Sequence, residues 1–427
     1  PNERASYNSL EGSYLNEYKL INKIGAGTFG LIYLVEDVVS GKRFAAKMVL
    51  KKNIHSQPGK ALDIEQNKKN IQSKLCNYFA LKNGRIEATE MPLDFIRDNG
   101  VDCPLLREIA LQLRVHNHPL IATIHNVLNV DKLAIVIIMD YFPQGDLFHN
   151  IIDLLLFQNE AKSELDRQFL MKNVFLQLVQ AIEYCTTQNV FHCDLKPENI
   201  MIHYNKNYIR RDHSKAGIID YDEIKVCLID FGLAMNSSLV CCNVRRGLSF
   251  YMAPERITNY TTSPLLQSMC DLEKYTEMPI GSFCSNQDKC ASKFFPTVAG
   301  DIWLLGVLLV NITCTRNPWP IAQLEGLETS SNHVFYNYVM ENTSILREIL
   351  PISRGFNQLL NKIFVIDPLS RIDLKTLEAE IRKVEFFHDY KIEDKSEKYL
   401  TKLPIINKQY EKVNVLNTPA NLYTYYD

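Results

Sequence analysis

A glycine-rich turn held between two strands constrains this chain more than any other feature. Tyr18-Lys19-Leu20-Ile21-Asn22-Lys23-Ile24 has a strand-like pattern and runs into Gly25-Ala26-Gly27-Thr28-Phe29-Gly30. Leu31-Ile32-Tyr33-Leu34-Val35 follows at once as a second apolar run. Glycines at this spacing let a backbone turn tightly and bring its N–H groups up to phosphate oxygens. The dinucleotide-binding form of the spacing needs a helix after the last glycine. A strand stands there, which disfavours that fold and leaves a hairpin flap over a nucleotide, or a plain flexible hairpin if nothing else in the sequence pointed to phosphates.

Arg43–Val49 reads as a third strand, joined to the second by a turn at Ser40-Gly41, and the three suggest an antiparallel meander. Inside it, Phe44-Ala45-Ala46-Lys47-Met48 places an ammonium in an apolar strand, where it needs partners. Nucleotide phosphates and a carboxylate would supply them, and Glu108 in Leu106-Arg107-Glu108-Ile109 is the best carboxylate candidate. The plainer alternatives are an edge lysine whose stem snorkels and an ordinary surface helix glutamate. A helix is expected from near Leu105 to about Val115, then a strand pair over Ile121–Val130 and Lys132–Met139. Beyond Asp146 the pattern is mainly helical, most clearly over Phe169–Thr187. The β-rich and α-rich parts meet near Asp140–Gly145. Residues 51–103, rich in Lys, Asn and Gln with few apolar clusters, read mostly as an insertion with room for short helices.

The 427 residues carry 47 Lys and Arg against 49 Asp and Glu, a formal net charge of −2, so nothing argues for a nucleic-acid binder. The longest apolar runs, Leu133–Met139 and Ile302–Val310, have the length of core segments, and no stretch is expected to reach the roughly 18 apolar residues of a membrane span. Pro1-Asn2-Glu3-Arg4 does not have the form of a secretory signal. Eleven cysteines, an odd count with Cys227 inside an apolar strand, fit a reducing compartment better than a disulfide framework. Cys270, Cys284 and Cys290 share a polar stretch, but their spacing is not that of a zinc knuckle.

The decisive stretch is Val190-Phe191-His192-Cys193-Asp194-Leu195-Lys196-Pro197-Glu198-Asn199-Ile200-Met201. Phosphoryl transfer needs a group to orient the attacking hydroxyl, a cation for the moving phosphoryl and an oxygen ligand for magnesium. Asp194, Lys196 and Asn199 supply these in order. Val226-Cys227-Leu228-Ile229 then leads to Asp230-Phe231-Gly232, an acid at the end of an apolar strand, well placed to hold metal ions that bridge phosphates.

With these motifs in order, the chain resembles a eukaryotic protein kinase of the serine/threonine type from about Tyr18 to about Glu378. The resemblance implies an α+β, two-lobed fold, with a small antiparallel sheet and one main helix in the first lobe and a larger helical second lobe. It divides the chain into a loose segment 1–14, a first lobe 15–142, a second lobe 143–387 with insertions near 203–222 and 258–296, and a tail 388–427. It implies ATP and Mg2+ as cofactors, with Asp194 as catalytic base, Lys196 beside it, and Asn199 and Asp230 on the metal. Nucleotide contacts fall on Ile24, Gly25, Ala26, Gly27, Thr28, Phe29 and Gly30, on Lys47 with its partner Glu108, and on Met139 as gatekeeper. Backbone groups near Asp140 and Phe142 would meet the adenine edge, Ile32, Ala45 and Met201 would sandwich its ring, and Asp146 would reach the ribose. Ala253-Pro254-Glu255 closes the activation segment, Asp301-Ile302-Trp303 marks the central helix of the second lobe, and Arg371 would pair with Glu255.

Three departures qualify the resemblance. Cys193 stands where most kinases carry an arginine that gathers a phosphate on the activation segment, which predicts activity that does not depend on such a phosphate. Leu248 occupies a position usually held by a hydroxyl residue, with Ser249 next to it. Gln112 lies one turn after Glu108, where an apolar residue usually packs. His192-Cys193-Asp194, Asn317-Pro318-Trp319 and Ile349-Leu350-Pro351-Ile352-Ser353 resemble a fungal kinase group linked to nutrient signalling, cell cycle and meiosis. The expected partners are protein substrates, with Glu198 and Asp146 favouring a basic motif, and regulators that meet the insertions or the tail. A monomer in the cytoplasm and nucleus is expected. A pseudokinase scaffold is the rival, and it calls for loss of Lys47, Asp194, Asn199 or Asp230, all of which are present.

Overall fold

A strand with apolar residues on both faces needs cover on both, and β4 (Arg43–Leu50) is such a strand. In the computed structural model, residues 9–26, 30–51, 64–161, 163–209, 219–241, 247, 250–258, 260, 263–277, 293–324 and 332–387 are described. They fall into two compact units, one ending at Pro143 and the other beginning at Gln144.

In the first unit β1 (Tyr14–Leu15), β2 (Tyr18–Ala26), β3 (Gly30–Asp37), β4, β5 (Arg85–Ile86), β6 (Thr89–Glu90), β7 (Ile124–Val130) and β8 (Ala134–Asp140) form one sheet in the order β5-β1-β2-β3-β4-β8-β7-β6. All neighbours are antiparallel except the short β1–β5 pair. One face of the sheet is covered by α2 (Leu93–Asn99) and α3 (Arg107–Val115), whose Ile96, Ile109, Ala110 and Leu113 pack with Ile124, Val127, Ile135 and Ile137. The other face is covered by α1 (Ile64–Leu81), which sends Ile71, Leu75, Cys76 and Phe79 into a core with Ala46, Met48 and Leu50.

Helix α1 lies inside the stretch 51–103 that the sequence suggested as mostly an insertion with room for short helices. Its 18 residues form a structural layer. The apolar stripe is narrow, one residue per turn with Cys76 beside it, and Lys68, Lys69, Asn70, Ser73 and Lys74 surround it. A narrow stripe in a polar sequence leaves little period to detect. Full burial of Ile71, Leu75 and Phe79 contributes roughly 1.5–3 kcal/mol each.

The second unit is mainly helical. After α4 (Leu147–Ile152) and α5 (Leu156–Asn159), α6 (Glu164–Thr187) runs for 24 residues. Ser163 caps α6 by accepting from Asp166 N at 3.1 Å, and acidic Glu164 and Asp166 suit the positive end of the helix. Then come β9 (Ile200–Tyr204) and β10 (Ile224–Leu228), which pair antiparallel, β11 (Leu239–Cys241), α7 (Pro254–Ile257), α8 (Pro264–Met269), β12 (Thr276–Glu277) and β13 (Lys293–Pro296). A small sheet joins the last strands in the order β11-β13-β12. Helix α9 (Thr297–Cys314) follows directly, then α10 (His333–Met340), α11 (Ile345–Ile349), α12 (Arg354–Ile363) and α13 (Leu374–Lys383).

Against the expectation for membrane spans, α9 is long and apolar enough to cross a bilayer by length and composition. It is packed inside the second unit, with Trp303 and Val307 to Val310 wholly buried and Thr297, Asp301 and Asn311 among its buried polar residues. A helix apolar all round is what a core position demands.

Candidate active site

In the first unit the glycine turn ends β2 and opens β3, with Gly25 opposite Ile32 and Ala26 opposite Leu31. Ile24, Gly25, Ala26, Gly30, Ile32 and Ala45 are therefore grouped on neighbouring strands, while Gly27, Thr28 and Phe29 lie outside the described residues. Gly30 has no substitute. A Cβ there would sit 2.1 Å from the Met48 carbonyl oxygen across the β3–β4 ladder.

Lys47 sits mid-strand on β4, between Ile32 of β3 and Ile137 of β8. Its ammonium contacts the Glu108 carboxylate directly. Glu108 lies in the first turn of α3, where the helix dipole favours an acid. Next on α3, Gln112 is buried and donates from Nε2 to the Ala122 carbonyl at 2.9 Å. It is thus a satisfied anchor and leaves no polar gap beneath the helix.

Met139 pairs with Ala45 across the β4–β8 ladder. The Asp140 carboxylate accepts from Thr123 N at 2.9 Å and meets His125 Nε2 at 2.6 Å. Burial raises its pKa, but His125 and the Thr123 backbone outweigh this and hold it below the usual value. Phe142 follows, half-buried, near the end of the unit.

In the second unit the Asp146 carboxylate caps α4, accepting from His149 N at 2.7 Å, and the Asp146 backbone bridges to Met201. Asn189 closes α6 with a left-handed φ of 53°. The chain then enters the loop that carries Asp194, where Phe191 exchanges both backbone hydrogen bonds with Met235 at 2.8 Å each. The His192 and Cys193 N–H groups donate to the two oxygens of buried Asp301 at 3.0 and 2.9 Å. Bound this way, Cys193 takes a φ of 63°, costly for a non-glycine residue.

The loop gathers the expected groups. Asn199 Nδ2 donates to the Asp194 carbonyl at 2.8 Å and to its Oδ2 at 3.0 Å, and Lys196 Nζ lies 3.3 Å from that same oxygen. The 3₁₀ turn Pro197–Asn199 brings Asn199 back under Asp194. Burial pushes the Asp194 carboxyl up to about 6; Lys196 and Asn199 pull against this and neighbouring Asp230 adds to it. Asp230 follows β10 with a φ of 62°, and its Oδ1 accepts from Gly232 N at 3.2 Å. The His192 ring packs on Phe231 at 4.9 Å between centroids, and its Nε2 lies 3.0 Å from the Ile229 carbonyl.

The donors suit a hard divalent cation. With Asn199 Nδ2 engaged by Asp194, the Asn199 amide oxygen and the Asp230 carboxylate are the oxygens that would hold it. Among the described residues no group of three His, Cys, Asp or Glu side chains forms an all-protein cage. Magnesium bound through few protein oxygens completes its shell with substrate phosphates and water.

Arg371 meets Glu255 in a two-pronged pair at 2.8 and 3.1 Å. Gly247 was not anticipated; with φ at 86°, its absent Cβ would lie 2.7 Å from Asp194 Oδ1, and a lone glycine in Arg246-Gly247-Leu248 gives no signal of this. Leu248, Ser249, Cys284, Cys290 and the tail 388–427 lie outside the described residues, while Cys270 is buried.

The protein kinase domain profile matches residues 66–268. Serine/threonine-protein kinase VHS1 of Saccharomyces cerevisiae is 32% identical over 417 residues, covering 96% of this chain and 78% of that protein. Serine/threonine-protein kinase SKS1 of the same yeast is 33% identical over 390 residues, 88% of this chain and 67% of its own length. The negative regulator of sexual conjugation and meiosis of Schizosaccharomyces pombe is 32% identical over 362 residues, 84% of this chain and 58% of that protein. This chain belongs to the eukaryotic protein kinase family, on its serine/threonine branch and in the group of these fungal enzymes. ATP, a divalent metal ion and protein substrates come with that membership.

Proposed function

We propose that the chain transfers the γ-phosphoryl of ATP to protein serine or threonine hydroxyls, with Asp194 as the group that orients the hydroxyl and takes its proton. The observation that carries this assignment is the buried cluster in which Lys196 and Asn199 both touch Asp194 Oδ2. The bond from the γ-phosphorus to the bridging oxygen breaks, a bond to the acceptor oxygen forms, ADP leaves, and the proton goes to Asp194. Lys196 offsets the charge that develops beside Asp194, and Lys47, oriented by Glu108, binds nucleotide phosphate. Asn199 and Asp230 would hold the magnesium ion, which screens phosphate charge when bound. The glycine turn, Met139, Asp140, Phe142, Asp146 and Met201 serve nucleotide binding.

Cys193, uncharged and buried, supports activity without a phosphate on the segment after Asp230. The names of the relatives favour a signalling role in the control of conjugation and meiosis or of carbon use; the location proposed with it is the cytoplasm, with the nucleus as a further one. A basic substrate motif and a monomeric state complete the proposal. Labelled ATP, a protein mixture and the phosphatase-treated chain test it. Transfer to serine or threonine by the unmodified chain, lost in Asp194→Asn, is the expected result. Transfer that survives Asp194→Asn refutes the assignment, and binding of nucleotide without any transfer favours a scaffold.

A further inference from the structure

Residues 235–241 follow Asp230, and Cys193 holds the position from which an arginine gathers a phosphate in most kinases, yet their backbone is tied at every step. Met235 exchanges both hydrogen bonds with Phe191. The Asn236 carbonyl accepts from Asn189 Nδ2 at 2.5 Å. The Ser237 carbonyl accepts from the Thr297 hydroxyl at 2.6 Å, and the Ser238 carbonyl accepts from Thr297 N at 2.9 Å. Leu239, Val240 and Cys241 then pair with Pro296, Phe295 and Phe294 of β13.

Thr297 is wholly buried at the first position of α9. Asp301 lies four residues on, so the two side chains share one face of the helix. From that face Asp301 holds the backbone of His192 and Cys193, and Thr297 holds the backbone of Ser237 and Ser238. A single helix turn thus registers the loop that carries Asp194 against the segment that leaves Asp230. The buried Arg256 guanidinium closes the corner. It reaches the Thr297 carbonyl at 3.4 Å and Met235 Sδ at 3.6 Å, and it lies so close over Gly300 that a Cβ there would be 3.1 Å from it.

We infer that Thr297 is a positioning residue, and that the Thr297 corner with strand β13 does for this kinase what a phosphate gathered by an arginine does elsewhere: it holds the segment after Asp230 in its working register. The late part of the insertion before α9 is, on this account, a built-in brace. The inference rests on the proposed phosphate-independent transfer and names the device that replaces the phosphate.

The test uses the full, phosphatase-treated chain, with steady-state kinetics on a generic protein substrate and amide hydrogen exchange. Thr297→Val removes one buried hydrogen bond at nearly constant volume. It is expected to lower kcat about tenfold, with KM for ATP within about twofold. Exchange should speed up at residues 239–241 while the interior of α9 stays protected. Thr297→Ser restores the hydroxyl and should recover kcat to within about twofold. A Thr297→Val protein with unchanged kcat, or one whose exchange rises equally everywhere and which Ser does not rescue, overturns the inference. So does wild-type activity that disappears with phosphatase treatment. A wild type that transfers to no protein in any state refutes the enzyme assignment instead, and the exchange pattern still reports on the brace.

Discussion

Each unit contains an ion pair that the sequence anticipated, and the two are built for opposite purposes. Glu255 and Arg371 have side chains 2% and 0% exposed. All five guanidinium donors of Arg371 are engaged: two on Glu255, one on the Ala299 carbonyl at 2.6 Å, and two on the Val365 carbonyl at 2.9 and 3.1 Å. The Trp303 ring lies 5.0 Å from the guanidinium. Lys47 and Glu108 are 18% and 23% exposed. Lysine carries a compact charge on a flexible stem, whereas the planar fork of arginine is preorganised for a fixed partner. A sealed fork is a permanent joint, and a point charge within reach of solvent suits the proposed sharing of the Lys47 cation with a phosphate.

The largest expected effect tests the joint. Glu255→Ala strands a buried guanidinium and should cost about 3–5 kcal/mol of stability in chemical denaturation. A loss below about 1 kcal/mol would show that the pair is not the joint its burial suggests. Next comes the working pair. Glu108→Gln keeps an acceptor beside Lys47, so stability should change by about 1 kcal/mol, while phosphoryl transfer should drop about a hundredfold. Equal damage to stability and turnover in both variants would erase the distinction.

Asp194 extends the contrast to a charge that is costly to maintain. Its carboxyl, raised to about 6 by burial, is charged at neutral pH against the preference of its surroundings. Below about pH 6 it holds its proton and cannot accept one from a hydroxyl. A plot of kcat/KM against pH should therefore fall about tenfold per unit on its acid side. The stability sign is the reverse of that for a stabilised carboxylate. In unfolded chain the group ionises near 3.8, so between that value and about 6 only the folded protein holds the proton, and stability declines as pH rises through this window. Asp194→Asn should accordingly be more stable than wild type at pH 7.5, with the advantage fading toward pH 4, as read by denaturant titration. An advantage independent of pH would assign it to packing.

The grouping of Asp194, Lys196 and Asn199 was legible because the three lie at fixed short spacings, and such spacings survive in a bare string of letters. The Glu255–Arg371 pair spans 116 positions and was legible only through the resemblance. What stayed hidden was carried by backbone and by narrow stripes. Gly247 approaches Asp194 through a missing Cβ, Thr297 acts on carbonyls of another segment, and α1 hides four core residues among lysines and asparagines. Gln112 stands where the resemblance calls for an apolar residue, and the structure satisfies it there with a buried hydrogen bond.

Gln112 yields the smallest expected effect and the finest cut between the two pairs. It lies one turn beyond Glu108 and ties α3 to the Ala122 carbonyl, so Gln112→Leu leaves that carbonyl without its donor and should cost about 1 kcal/mol. The apolar face of α3, with Ile109, Ala110 and Leu113 in the core, still holds the helix on the sheet, so transfer should stay within about twofold of wild type. A loss of turnover as large as that of Glu108→Gln would mean that one hydrogen bond, not the packed face, sets where Glu108 stands. The working pair would then depend on its anchor as closely as Arg371 depends on its carbonyls, and exposure alone would not explain the difference between them.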